Sequence, residues 1–483
     1  MKGDAGLRPP TFDAKFRLAW GAASFGGSLI SGIYAAMLPI FYQDYLGLSS
    51  DLITISSVIY AVWNAVNDPL FGFISDRTRT SKGRRIPYMR YTAPFLALTF
   101  ALVWLAGPEL GDATIFWWML ASTLLYDTAY TIIFLVYSAL LPEITELDDE
   151  RNKLQGVASL TSLLGTLVGF VVPDLVRPKA GDPSLLPFRL TMVGVGVAGS
   201  ALIVFTTYRV RERPEFTVVD EPLGLRQALS LTFRSKSFLV LVSANFMNIL
   251  LQALVLGYLF YVGDYVLRVG VELLLPAVFF PLVAGIFASQ AVARRVGVVQ
   301  AAQLFLVVGG VPLVLVPWLP TPALWAALPF AGLGFAGPLV LTNTLFAQVA
   351  DEDELVSGVR REAAFFGVNA LLTKPAQSVA LALPAYVLDV TGFVTREENF
   401  GEIFLDQPAT AIFGIKVIFG LIPGLAMLAG AAILLAYPLK GEVLARIKRE
   451  VAALHVEKQS QLRALKWAGR DAACLVDAGW RRF

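Results

Sequence analysis

Apolar residues run along this chain in long blocks, near 16–42, 52–75, 87–107, 113–141, 153–176, 188–208, 237–263, 271–293, 298–319, 322–349, 362–388 and 410–437. Each is about 20 residues or longer, enough for an α-helix rising about 1.5 Å per residue to cross about 30 Å of hydrocarbon. None alternates at period two, so the pattern argues against a transmembrane β-barrel. It predicts an all-α polytopic membrane protein whose twelve transmembrane helices form two six-helix bundles.

The polar intervals set the organisation. The longest interior one, near 209–236, divides the chain after the sixth block, giving an N-terminal bundle over 1–208, a linker over 209–236 and a C-terminal bundle over 237–437. Apolar residues at helical spacing between Leu225 and Phe233 predict a short surface helix in the linker. The tail, 438–483, is basic and amphipathic, with Val443, Leu444, Ile447, Val451 and Leu454 on one stripe. It reads as a solvated or membrane-surface helix. The halves echo one another: "GRRIP" at 83–87 has a counterpart in "ARRVG" at 293–297, and "PEITELDDER" at 142–151 in "AQVADEDELVSGVRRE" at 347–362. Such a repeat suggests two related bundles with a substrate site between them near the midplane.

Charge fixes the orientation. With both termini in the cytoplasm, the inward-facing segments hold 32 of the 39 Lys and Arg and the outward-facing ones five. The mean hydropathy of +0.65 and the 16% of charged residues agree with a membrane class. The first 18 residues are polar and carry no signal-peptide pattern. A single cysteine, Cys474, and a single histidine, His455, leave almost no material for a Cys/His metal site or histidine catalysis. No span carries a paired acid and base or a nucleophile with a base, so an enzyme is not expected. The partners expected are a solute and the bilayer, without nucleic acid, for a protein that acts as a monomer. No cofactor is expected.

A charge at bilayer depth is costly and marks a pathway or a paired site. Asp68 is the clearest case. Asn64, Asn67 and Asp68 have i, i+3, i+4 spacing and share a face with Tyr60 and Phe71. Lys374, followed by Pro375, is the matching cation, and pairing with Asp68 is a hypothesis motivated by their opposite charges. Lys416 lies near the outer end of the last span, where a long stem can snorkel. Asp127 is a pathway group or an outward cap. Asn248 and Asn369 add amides to the second half, as solute contacts or as glue between helices. Gly194, Gly196 and Gly199 spell GxGxxG, but no strand precedes them, so helix packing explains them better than a dinucleotide.

The twelve spans in two halves resemble the major facilitator superfamily. "NDPLFGFISDRTRTSKGRRIPY", "YSALLPEITELDDER" and "SGVRREAAFFGVNALLTKPAQ" resemble its glycoside, pentoside and hexuronide cation symporters over about 16–437. The resemblance implies a cation site of Asn67, Asp68 and Thr131 with Lys374 close by. Asn64 stands where sodium-coupled relatives have a second aspartate. One carboxylate suffices to carry a proton, so proton coupling is favoured, with sodium possible. Tyr130 lies in the matching helix-four segment. Ser28 and Phe134 fall where sugar-binding relatives have aspartates, and Ser159 where they have an arginine. Losing three charged partners of sugar hydroxyls weakens the case for a glycoside. The same group resembles lysolipid transporters, which makes an amphipathic solute the runner-up; a membrane sensor or scaffold without transport is a further alternative.

The resemblance also implies a cytoplasmic gate. Asp76, Arg77, Arg79, Gly83, Arg84 and Arg85 form its loop. Glu143, Asp148, Asp149, Glu150 and Arg151, with Asp351, Asp353, Arg360 and Arg361, would be its partners. The expected function is alternating-access symport of a small organic solute, a sugar or glycoside first, across a cell membrane.

Overall fold

The computed structural model of the chain describes residues 12–80, 83–176, 185–213, 216, 225–269, 271–394 and 406–467, and among them there is no strand. The helices are α1 (Ala14–Pro39), α2 (Ser50–Arg77), α3 (Ile86–Val103), α4 (Asp112–Ile144), α5 (Asp148–Val176) and α6 (Leu186–Arg209). The expected linker helix follows as α7 (Leu225–Arg234). Then come α8 (Lys236–Tyr261), α9 (Val271–Val296), α10 (Val298–Leu315), α11 (Leu324–Ser357), α12 (Glu362–Val390), α13 (Ala409–Lys416), α14 (Ile422–Leu435) and α15 (Gly441–Trp467). A π-helical segment, Val417–Leu421, joins α13 to α14 as one continuous span. Among the described residues nine helices are long and apolar enough to cross a membrane. The other three spans, α2, α3 and α12, carry Asp68, Arg90 and Lys374 within them.

Two compact units emerge. One comprises residues 1–230, 350–370 and 446–483, and the other 231–349 and 371–445. The end of α11, the start of α12 and most of the tail therefore belong with the first six spans.

In the first unit α1 packs on α5 and α6, α3 on α4 and α6, and α2 on α4. Lipid is as apolar as leucine, so close fit rather than hydrophobicity draws these helices together. Gly26 and Gly199 supply that fit at the α1–α6 crossing, where a Cβ on Gly26 would sit 2.4 Å from the carbonyl oxygen of Gly199. The glycine pattern in α6 is thus a packing feature, as expected, although Gly194 has open space around it. The core at one end is aromatic: Phe41, Trp104 and Phe188 meet edge-on or stacked, and Tyr42 donates to the Val103 carbonyl at 2.8 Å. In the second unit α10 packs on α9 and α14, and α14 on α8. The Lys416 ammonium donates to the Leu319 carbonyl, between α10 and α11, at 3.0 Å.

Candidate functional site

A buried polar cluster ties α2 to α4. Pro69 lies inside α2, yet the helix continues, and its i, i+3, i+4 face turns Tyr60, Asn64, Asn67 and Asp68 inward as the spacing predicts. Thr131 Oγ1 donates to Asp68 Oδ1 at 3.1 Å. Asp127, one turn before Thr131 on α4, accepts from three side chains of α2. Tyr60 Oη at 2.9 Å and Asn64 Nδ2 at 2.8 Å reach its Oδ1, and Asn67 Nδ2 at 3.1 Å reaches its Oδ2. Asp68 and Asp127 are both buried. Asp127 therefore faces α2 rather than capping outward, on the same helix pair as Asp68 and Thr131.

The expected solute residues are distributed differently. Ser28 and Ser162 share a hydrogen bond of 2.6 Å between α1 and α5, and Ser159 is buried on α5. Phe134 lies tilted against Tyr130 with ring centres 4.4 Å apart, extending a run of rings that continues through Tyr126 to Tyr34. A Cβ on Gly27 would strike the tip of the Phe134 ring, which shows how closely α1 meets it. Asn369 lies on α12 in the first unit, whereas Asn248, buried on α8, and Lys374, half-buried on α12, belong to the second.

At the charged end of the first unit a network of ions is almost entirely buried. Gly83 adopts φ +107°, a left-handed conformation that suits glycine, and turns the chain into the Arg84–Arg85 pair. Arg84 Nε donates to Glu143 at 2.7 Å, and its Nη atoms reach the Arg360 carbonyl at 2.6 Å and Glu362 at 3.1 Å. Arg85 pairs with Glu362 and lies 3.3 Å from Asp76 and 3.2 Å from Glu143. Asp76 caps α12 from α2, accepting from the amides of Ala363 at 3.3 Å and Ala364 at 2.8 Å. A carboxylate at a helix N-terminus meets both unpaired N–H groups and the positive end of the dipole. Backbones touch beside it: a Cβ on Gly72 would lie 2.5 Å from the Ala363 oxygen, and one on Gly367 2.7 Å from the Asp68 oxygen. Arg151 grips Asp351 with two bonds of 2.7 and 3.0 Å and donates to the carbonyls of Thr145 and Pro142. Arg360 adds Glu354 at 2.9 Å and Asp351 at 3.3 Å.

Several expected members stand elsewhere. Asp353 is spent on Arg361, its near neighbour at the turn between α11 and α12, and Arg361 also donates to the Ala228 carbonyl at 2.5 Å. Arg77 lies over the Phe73 ring, and Arg79 donates to the backbone oxygens of Asp76 and Thr78. Asp149 and Glu150 pair with Lys153, and Asp149 is 43% exposed. Sequence distance cannot tell an acid facing across a helix junction from one facing water.

The largest correction concerns the tail. Instead of a solvated helix, α15 buries Ile447, Val451, His455, Lys458 and Leu462. Lys448 donates to the Glu146 carbonyl at 2.7 Å and to Asp148 at 2.5 Å. The two ring nitrogens of His455 face Glu146 at 2.5 Å and Glu354 at 2.8 Å, and Lys458 reaches Glu354 at 2.8 Å. Burial works to raise the pKa of Glu146, but hydrogen bonds from His455 and Arg213 outweigh it and hold the carboxyl well below the usual range. Glu212, in the linker, caps α3 by accepting from the amides of Arg84, Arg85 and Ile86. Burial and the neighbouring Glu143 push its pKa up. Glu362, Glu354, Glu212, Glu146 and His455 were not among the residues singled out. A signal for the tail existed: His455 and Lys458 lie eight and eleven residues beyond Ile447, on its own helical face.

These features define a polytopic helical transporter with an intramembrane acid and an ion-paired end. The match to the family described as MFS/sugar transport protein spans residues 19–441. The chain belongs to that family, within the major facilitator superfamily, and the resemblance to its glycoside, pentoside and hexuronide cation symporters holds. It is 25% identical to an uncharacterised symporter, sll1374, of Synechocystis sp., over 90% of this chain and 96% of that protein. It is 23% identical to the sodium-dependent lysophosphatidylcholine symporter 1 of Xenopus tropicalis, over 88% and 85%. The crystal structure of the MFS transporter FucP in the outward conformation shares the fold, with a TM-score of 0.66 at 12% identity, covering 88% of this chain and 99% of that one.

Proposed function

We propose that the protein is a secondary active transporter that couples a cation to a small organic solute by alternating access, with both termini in the cytoplasm. The observation that carries this reading is Asp68, an acid buried within a membrane span, hydrogen-bonded across to Thr131 of α4. An intramembrane carboxylate is expensive to keep, and a coupling ion gives it a use. The ion pairs of the charged end fit a closure that forms in one state and parts in another, with 83–85 and 142–151 on one side and 351–362 on the other. One carboxylate on α2 suits a proton; the Xenopus relative is named sodium-dependent, which makes sodium the second ion to test.

A sugar or glycoside is the first solute class, in keeping with the family's description. An amphipathic solute is the second, and a specific observation favours it: Phe134 packs against Tyr130 in an aromatic run where sugar binders have an acid. Liposomes containing the purified protein would be screened with sugars, glycosides and lysolipids for solute-driven acidification or sodium entry. Wild type should couple the two fluxes, and Asp68→Asn should abolish coupling. Coupling that persists unchanged in Asp68→Asn overturns the role of Asp68.

A further inference from the structure

We propose that α15 is a strap across the charged end of the first unit, and that its catch is a protonated His455 held between Glu146 and Glu354, so that losing this proton lets the end open more readily. The proposal rests on the alternating-access reading, in which 142–151 and 351–362 part. Ile447, Val451, His455, Lys458 and Leu462 fall at intervals of four, four, three and four residues, on one helical face, and all are buried. The helix holds both segments. Towards 142–151, Lys448 donates to the Glu146 carbonyl at 2.7 Å and to Asp148 at 2.5 Å, and His455 Nδ1 lies 2.5 Å from Glu146. Towards 351–362, His455 Nε2 lies 2.8 Å from Glu354, and Lys458 donates to Glu354 at 2.8 Å and to the Gly358 carbonyl at 3.0 Å. Phe216 of the linker closes another side, its ring edge-on to the imidazole with centres 4.8 Å apart. The two segments cannot separate without His455 releasing one of its two acids.

The hydrogen bonds fix the charge on the ring. An ionised carboxylate only accepts, a neutral imidazole has one donor and one acceptor, and an imidazolium has two donors. Neither acid has a proton to give the ring: Glu354 also pairs with Arg360 and Lys458, and Glu146 with Arg213. A neutral ring would therefore turn a lone pair towards one of the two acids. Only the cation donates to both, through charge-assisted bonds roughly twice as strong as neutral ones. The one cation directly against the ring, Arg360 Nη1 at 3.2 Å from Nε2, is already engaged by Glu354, Asp351 and Glu362. Histidine is the side chain whose charge ordinarily changes near neutral pH, so such a catch releases where a lysine or arginine would not. A tail that merely packs would hold this end equally well whatever the charge at position 455.

His455 is the chain's single histidine, so one imidazole reports the ring directly. Full-length protein labelled with 15N-histidine, purified in detergent without a histidine tag, is followed by NMR from pH 7 to pH 9. Opening is read in full-length protein carrying Ser75→Cys/Cys474→Ser, the parent for all variants. Ser75, 1% exposed, adjoins Asp76 at the α2–α12 contact, and its labelling by a membrane-impermeant thiosulfonate is divided by the rate for unfolded protein at the same pH. At pH 7 the ring should carry protons on both nitrogens, and labelling should be slow. As the ring loses a proton, labelling should rise about tenfold. His455→Gln and Lys448→Ala/His455→Gln/Lys458→Ala should label fast at pH 7 and pH 9 alike. A ring that keeps one charge state throughout, or labelling that ignores a change in it, overturns the proton catch. A parent and triple variant that label alike overturn the strap, while Arg151→Ala/Glu362→Gln, which breaks the closure itself, still labels fast. If that variant stays as slow as the parent, the alternating-access reading itself fails. Should the triple variant not be recovered folded, His455→Gln and the parent's response to pH decide by the same criteria.

Discussion

Replacing Arg151 by alanine isolates the closest contact between the 142–151 segment and the 351–362 segment. Both partners of the Arg151–Asp351 pair are almost wholly buried, and its two bonds of 2.7 and 3.0 Å form the fork-to-fork geometry that arginine offers a carboxylate. An exposed ion pair contributes roughly 0–1 kcal/mol, whereas removing one partner of a buried pair costs about 3–5 kcal/mol, because the other charge is left desolvated. Asp351 would not be abandoned altogether: Arg360 lies 3.3 Å away and Lys448 3.9 Å. The cost should fall at the lower end, about 3 kcal/mol, or on the order of 100-fold in an equilibrium constant. A double-mutant cycle with Arg151→Ala, Asp351→Ala and the pair, read as the folded fraction across a denaturant titration in detergent, measures the coupling. A coupling energy of about 2–3 kcal/mol is expected. A value under about 0.5 kcal/mol would refute the inference that burial makes this pair strong.

Three further outcomes rest on buried charge and close backbone packing. Glu146 has a depressed folded pKa, so its stabilising effect is complete above the ordinary glutamate range and fades as pH falls through its folded value. Between pH 7 and 5 it should contribute a constant amount, and below about pH 4.5 wild type should lose stability more steeply than Glu146→Gln in thermal scans. Gly72→Ala and Gly367→Ala each press a Cβ onto a backbone oxygen at the α2–α12 contact, so each should cost about 1–3 kcal/mol, and the pair should be less than additive in denaturant titrations. Glu362→Gln removes the charge shared by Arg84, Arg85 and Arg360 and should lower the thermal midpoint more than Asp149→Asn, whose carboxyl is half exposed.

What the sequence made legible was set by how local each signal is. Hydrophobic length is local, so the helices follow from it; the three spans that fall short of full apolarity hold Asp68, Arg90 and Lys374. The face carrying Asn64, Asn67 and Asp68 follows from helical spacing alone. What meets that face does not. Asp127 sits 60 residues from its nearest partner in sequence, and only the α2–α4 crossing decides that it receives three donors there. The same limit applied to the charged end. "GRRIP" and "DEDELVSGVRRE" advertise their arginines, but arginines need carboxylates in fixed places, and those came from Glu362 at a helix start and Glu354 beneath the tail. A tail read as amphipathic was equally compatible with water, lipid or protein on its apolar stripe. His455 and Lys458 distinguish these cases, because an imidazole between two carboxylates with an ammonium one turn on is stable only where those acids are already held. The charges that composition treats as a solvated minority are, at this end of the protein, the packing material itself.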